Sequence, residues 1–129
     1  MTVLLLNSSE KDCQITIFAS EKLKNITWSA DRKLAKDLLS NINNLLLENK
    51  LTLNDLTGLA IYKGPGSYTG LRIGITVMNT LASSLEIPII GSEGDDWQEN
   101  ALKRLSNNED DQLVLPEYGA LPHITRPKK

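Results

Sequence analysis

One stretch limits the possible folds more than any other. Leu56 to Tyr62 is apolar, and the turn Gly64-Pro65-Gly66-Ser67-Tyr68-Thr69-Gly70 follows it. An amphipathic stretch then runs to about Leu85, and Ile87-Pro88-Ile89-Ile90-Gly91 is apolar again. A strand, a helix and a second strand joined by connections this short put the helix across the sheet, so the two strands are expected to be parallel and the crossover right-handed. The fold class is therefore α/β.

The residues before this unit supply the rest of a sheet. Thr2 to Leu6 reads as a short buried strand, and Cys13 to Ala19 alternates around Ile15 and Ile17 as a second. Between them Asn7-Ser8-Ser9-Glu10-Lys11-Asp12 is rich in turn formers, which predicts a hairpin. Lys24 to Trp28 gives a third strand whose weak pattern places it near an edge. Asp31 is positioned to cap a helix that ends at about Asn49. On that helix Leu34, Ala35, Leu38, Leu39, Ile42, Leu45 and Leu46 cover a sector of about 140°. A sector this wide belongs either to a deeply buried helix or to one that packs on its own sheet and on a partner.

Beyond Gly91 the composition changes. Asp95-Asp96 starts a helix that ends near Leu105, and Ser106-Asn107-Asn108-Glu109-Asp110-Asp111 reads as an acidic linker of solvated charge. From Leu113 onward the chain holds three of its five prolines and ends Arg126-Pro127-Lys128-Lys129, a tail expected to be extended and lightly packed.

Charge and cysteine usage narrow the function classes. With 14 basic and 16 acidic side chains the net charge is -2, which argues against autonomous binding to nucleic acid or to an anionic membrane. Cys13 is the only cysteine, so no internal disulfide and no multi-cysteine metal site is available. It has no neighbouring base, and a small buried apolar role is expected for it. His123, the only histidine, has no ligand set spaced around it. The start of the chain has no basic segment of a secretory signal, and no run approaches the roughly 20 apolar residues of a membrane helix. A cytoplasmic protein is expected.

The glycine-rich turn admits two readings. A turn between strand and helix can aim backbone N–H groups at an anion. Yet Gly64 to Gly70 has neither the spacing nor the following Lys-Ser/Thr of a P-loop, and Gly64-x-Gly66 lacks the third glycine of the dinucleotide fingerprint. The other reading is a tight connection in which Ser67 or Thr69 caps the helix. On the helix, Leu71, Ile75, Met78, Ala82 and Leu85 share the face expected against the sheet. Gly70, Ile73, Gly74, Val77 and Leu81 form a second side, where small and medium apolar residues let another helix approach. That side is covered either by a partner or by residues 95–129. Arg72 sits in the first turn, where the helix dipole disfavours a cation, which suggests a specific partner group.

The run Gly64-Pro65-Gly66-Ser67-Tyr68-Thr69-Gly70-Leu71-Arg72-Ile73-Gly74, between the strand LTGLAIY and IPIIG, resembles the signature of the bacterial TsaB (YeaZ) family. Together with the hairpin and the first helix the resemblance covers residues 1–92. It implies an actin-like, ribonuclease-H-like lobe: an antiparallel meander continued by parallel strands, with helices on both faces. It also implies a role in making threonylcarbamoyladenosine in tRNA, as a non-catalytic partner of TsaD, the paralogue that transfers the threonylcarbamoyl group, with TsaE as an associated ATPase. The implied interface is a bundle of the first two helices, which here means Leu38, Leu39, Ile42 and Leu46 together with Gly70, Ile73, Gly74, Val77 and Leu81.

The chain departs from the family pattern at two points. Asn7-Ser8-Ser9 stands where the family has Asp-Thr-Ser, so the carboxylate that actin-like ATPases use near metal and phosphate is missing. Residues 93–129 leave room only for a remnant of the family's second lobe, with Pro116-x-Tyr118 similar to its end. The expectation is a scaffold subunit that binds a TsaD-like protein, holds no metal or cofactor alone, admits ATP or ADP only at a composite interface and touches tRNA indirectly. The alternative is a residual actin-like phosphotransferase or ATPase that uses the Gly64 to Gly70 loop. The isolated chain is expected to form a homodimer through the same helix faces. Glutamate at Ile73 or Val77 is expected to spare the fold while weakening the partner contact.

Overall fold

Which strands lie inside follows from which runs have no polar interruption. The computed structural model describes residues 1–29 and 33–117. β1 (Val3–Asn7) pairs antiparallel with β2 (Asp12–Ala19), with Leu4 opposite Ile17 and Leu6 opposite Ile15. β3 (Lys22–Ser29) lies antiparallel to β2 and forms the outer edge. The two-residue turn between them, Ser20-Glu21, has both φ values positive, at 53° and 62°. That is the primed turn a hairpin requires, made here without the usual Asn or Gly, so β3 begins two residues before its apolar pattern does.

α1 (Leu34–Glu48) then leads to β4 (Gly58–Tyr62), parallel to β1 on the side away from β2. α2 (Tyr68–Leu85) crosses over to β5 (Ile89–Ser92), parallel to β4, and α3 (Trp97–Ser106) follows. The sheet order is β3-β2-β1-β4-β5. The expected capping residue Asp31 lies outside the described residues, as do Tyr118, His123 and the basic chain end.

The core has two layers because β1, β4 and β5 are apolar on both faces. Leu4, Leu6, Ile15, Ile17, Leu59 and Ile61 meet Leu38, Ile42 and Leu46 of α1 and Leu71, Ile75 and Met78 of α2. On the opposite face Val3, Leu5, Ala60 and Ile90 are covered by Trp97, Ala101 and Leu105 of α3. Helices therefore stand on both faces, and α3 is a structural layer of this sheet rather than a cover for α2. Cys13 is fully buried in the first layer, and burial pushes its thiol up to about 12.

The acidic segment after α3 corrects the expectation of solvated charge. Glu109 and Asp111 both pair with Arg104. Asp110 Oδ1 accepts from the Ile89 N–H at 3.1 Å, and Asp111 Oδ2 accepts from the Gly91 N–H at 2.9 Å. These carboxylates occupy the outer edge of β5, whose backbone donors would otherwise be unpaired.

Candidate functional site

The glycine-rich turn is built against the hairpin turn at the end of β1. Ser67 is the N-cap of α2: its Oγ accepts from the Gly70 N–H at 3.3 Å, and its own N–H donates to Ser9 O at 2.8 Å. Ser8 Oγ donates to Gly70 O at 2.8 Å, and Ser8 and Ser9 are both buried. The glycines are where the chain segments come closest. A Cβ at Gly66 would sit 2.4 Å from Ser9 Cβ, one at Gly70 2.2 Å from Ser8 O, and one at Gly74 2.0 Å from Ser8 Oγ. Gly64, at φ +130°, would place one 1.9 Å from Glu117 O. Gly70 and Gly74, expected on the partner side of the helix, thus face Ser8 of the same chain.

In open α/β sheets a ligand crevice lies beyond the carboxyl ends of the parallel strands, which here are Asn7, Tyr62 and Ser92. Asn7 Oδ1 accepts from both the Ser9 N–H (2.9 Å) and the Ser9 Oγ–H (2.7 Å). Tyr62 meets Trp97 edge to face, ring centres 5.8 Å apart, and its hydroxyl donates to Pro65 O at 3.2 Å. Burial raises the Tyr62 pKa, and the negative charges of Glu93, Glu10 and Asp95 raise it further. Three carboxylates thus put negative charge around Tyr62 at this end of the sheet. Among the described residues no three His, Cys, Asp or Glu side chains stand close enough to hold a metal ion.

The second concavity lies between α1 and α2. Ala35, Thr69, Arg72, Ile73, Thr76 and Val77 line an open groove of about 410 Å³. Thr69 and Ile73 also line the neighbouring hollow of about 350 Å³, which reaches Glu10, Lys11, Leu34, Ser67 and Gly70. The Arg72 guanidinium lies over the Tyr68 ring, 5.3 Å from its centre, and donates to the Tyr68 hydroxyl at 3.4 Å. This gives the cation at the unfavourable end of the helix a local aromatic partner.

Of the residues expected at the partner face, Leu38, Ile42 and Leu46 are at most 1% exposed and belong to the core. The α1 sector is wide because the helix packs on β2 and also on α2. Leu39 is the apolar exception, 47% exposed. Ile73, Val77 and Leu81 are half-buried against the core, so glutamate at Ile73 or Val77 would disturb the fold as well as the groove. Ala35, Thr69 and Thr76 line the groove without having been expected there. Their signal was present in the sequence: α2 carries one charged residue, Arg72, in 18 positions. Its exposed side is Thr69, Thr76, Thr80, Ser83 and Ser84 rather than Lys and Glu.

The family described as "TsaD: tRNA N6-adenosine threonylcarbamoyltransferase" matches residues 22–93, more than half of the chain. The chain belongs to this family, in its TsaB (YeaZ) group. It is 32% identical over 89 residues to the tRNA threonylcarbamoyladenosine biosynthesis protein TsaB of Buchnera aphidicola (from Schizaphis graminum), covering 69% of this chain and 42% of that protein. It is 34% identical over 91 residues to the protein of the same name from Bacillus subtilis, covering 69% and 39%. Among solved structures, YeaZ from Pseudomonas aeruginosa superimposes with a TM-score of 0.67 at 28% identity, over 72% of this chain and 45% of that one. The fold is thus the actin-like, ribonuclease-H-like lobe of the family. The chain spans about two fifths of the length of the curated relatives it matches. No helix among the described residues is long and apolar enough to cross a membrane.

Proposed function

We propose that this chain is a partner-binding subunit in the formation of threonylcarbamoyladenosine in tRNA. It docks a TsaD-like catalytic protein on the groove between α1 and α2 and transfers no group itself. The observation that carries the reading is the neutral outer side of α2. A helix surface meant for water carries charged side chains, as α3 does with Glu99, Lys103 and Arg104. Thr, Ser and apolar residues are cheaper to take out of water, and interface cores are depleted of Lys and Glu. A partner helix laid along the groove would cover Leu39, Ile73, Thr76 and Val77 and meet the one charge, Arg72. Family membership supplies the pathway, since relatives carry the name of a tRNA threonylcarbamoyladenosine biosynthesis protein.

Two further features support this reading over the alternative of an ATP-binding phosphotransferase. Asn7 stands at the end of β1 in place of a carboxylate with its Oδ1 engaged by Ser9, and the glycine-rich turn is closed against Ser8 and Ser9. In the proposed assembly ATP or ADP enters only at a composite interface, a TsaE-like ATPase joins the larger complex, and tRNA is contacted through the partner in the cytoplasm. Without a partner, two copies of the chain cover the groove for each other.

Co-expression with the TsaD-like protein of the same genome, followed by light scattering, tests the proposal. A stable 1:1 complex is expected, and Mg-ATP titrated into the isolated chain should give no binding heat. Absence of a complex with and without nucleotide, or saturable ATP binding by the chain alone, would overturn it.

A further inference from the structure

Residues 110–117 lie beyond the stretch matched by the family and outside both the core helices and the groove, yet they touch α2, the loop that leads into it and the edge of β5. At one end Asp110 and Asp111 hold the β5 edge, and the Asp111 N–H donates to Ile89 O at 2.8 Å. Arg104 fastens Asp111 in turn and reaches Gly91 O at 3.4 Å. In the middle Val114, 3% exposed, packs on Gly91, where a Cβ would come within 2.6 Å of Val114 Cγ1. The Asn79 side chain of α2 then grips the Val114 backbone in both directions: Nδ2 donates to Val114 O and Oδ1 accepts from the Val114 N–H, each at 2.9 Å. At the far end the Glu117 N–H donates to Lys63 O at 2.7 Å, and Glu117 O is the atom that leaves no room for a Cβ at Gly64.

We infer that residues 110–117 act as a strap which sets the position of α2 and of the glycine-rich turn relative to the sheet, with Asn79 as its positioning residue on the helix. The inference rests on the reading of the α2 groove as a partner surface. Asn79 does not line the groove and its side chain is held on the Val114 backbone, so it acts through the placement of α2 and not by touching the partner. Beyond its first turn, where Ser8 and Ser9 bond to it, α2 is otherwise held by apolar packing against the sheet, which resists separation better than sliding. The strap adds directional bonds to a helix that otherwise has few polar ties to its neighbours. It also explains why two glycines, Gly64 and Gly91, stand where the strap passes.

Amide hydrogen exchange on the full chain, with Asn79→Ala and Asp111→Asn variants, tests this. In Asn79→Ala the amides of residues 64–79 should exchange at least tenfold faster while those of β1 and β2 keep their wild-type rates. Affinity for the TsaD-like protein should fall at least fivefold. Asp111→Asn, made at the other end of the strap, should loosen the same residues 64–79 in addition to β5. Unchanged exchange over residues 64–79 in either variant, or equal acceleration throughout the sheet, overturns the strap. If the wild-type chain does not bind the partner, the proposed function falls, while the exchange pattern still decides the strap.

Discussion

Gly74→Ala puts the close fit of α2 on β1 to a quantitative test, because two effects of the change oppose each other. In an exposed helix interior the substitution stabilises by about 1 kcal/mol, since alanine loses less backbone freedom than glycine. Here the added methyl would lie 2.0 Å from Ser8 Oγ, 2.9 Å from Ser8 Cβ and 3.2 Å from Leu6 Cδ2. Ser8 and Leu6 are fully buried, so neither can swing into solvent. Overpacking of this kind costs about 1–3 kcal/mol. Moving Ser8 also breaks its bond to Gly70 O (2.8 Å), which adds about 1 kcal/mol. The sum is a net loss of about 1–3 kcal/mol. Urea unfolding followed by circular dichroism reads this as a lower midpoint at unchanged slope. The double variant Ser8→Gly with Gly74→Ala removes the obstructing atoms and should be more stable than the sum of the single effects by more than about 0.5 kcal/mol. An unchanged or higher midpoint for Gly74→Ala would refute the argument that this glycine is set by contact with Ser8.

Leu39→Glu and Thr76→Glu, both at exposed positions, should unfold within about 0.5 kcal/mol of wild type yet bind the TsaD-like protein at least tenfold more weakly, measured by calorimetry. Wild-type affinity in both would move the interface away from the groove. Cys13 should resist a thiol reagent at pH 8 in the native state and react at once in urea, because a buried thiol at about 12 is ionised only to about one part in 10⁴ at that pH. Burial alone would raise the Asp111 pKa, but bonds from Arg104 and the Gly91 N–H, with the Arg104 and Lys63 charges, hold it below the ordinary carboxylate value. The stability it contributes is thus complete above an unfolded pKa of about 3.9 and is lost as pH falls through the lower folded value. Asp111→Asn should lack that share of the acid destabilisation, which urea midpoints between neutral and strongly acidic pH will show.

Much of the fold was legible because it rests on local patterns. The apolar runs of β1, β4 and β5, the alternation of Ile15 and Ile17, and the helical spacing of Leu71, Ile75 and Met78 are properties of neighbouring residues. The start of β3 was not legible, since Ser20 and Glu21 adopt a primed turn without the residues that usually mark one. Of the residues expected at the partner face, Ile73 and Val77 line the groove between the two helices, and Leu39 is exposed. The assignment of Leu38, Ile42 and Leu46 to that face did not hold. Helical periodicity gives the angle between two side chains but not which sector turns toward the sheet.

The sequence by itself determined the order of the elements, the parallel crossover unit and a hydroxyl cap of α2 from Ser67 or Thr69, all of which depend on residues a few positions apart. The tertiary structure alone decided what the glycines and carboxylates do. Gly70 and Gly74 face Ser8, more than 60 positions away, and Gly64 faces Glu117. Asp110 and Asp111 became edge partners of β5 only when α3 brought the chain back across the sheet. A contact between distant residues depends on the path of everything between them, and no local preference of a glycine or an aspartate carries that information.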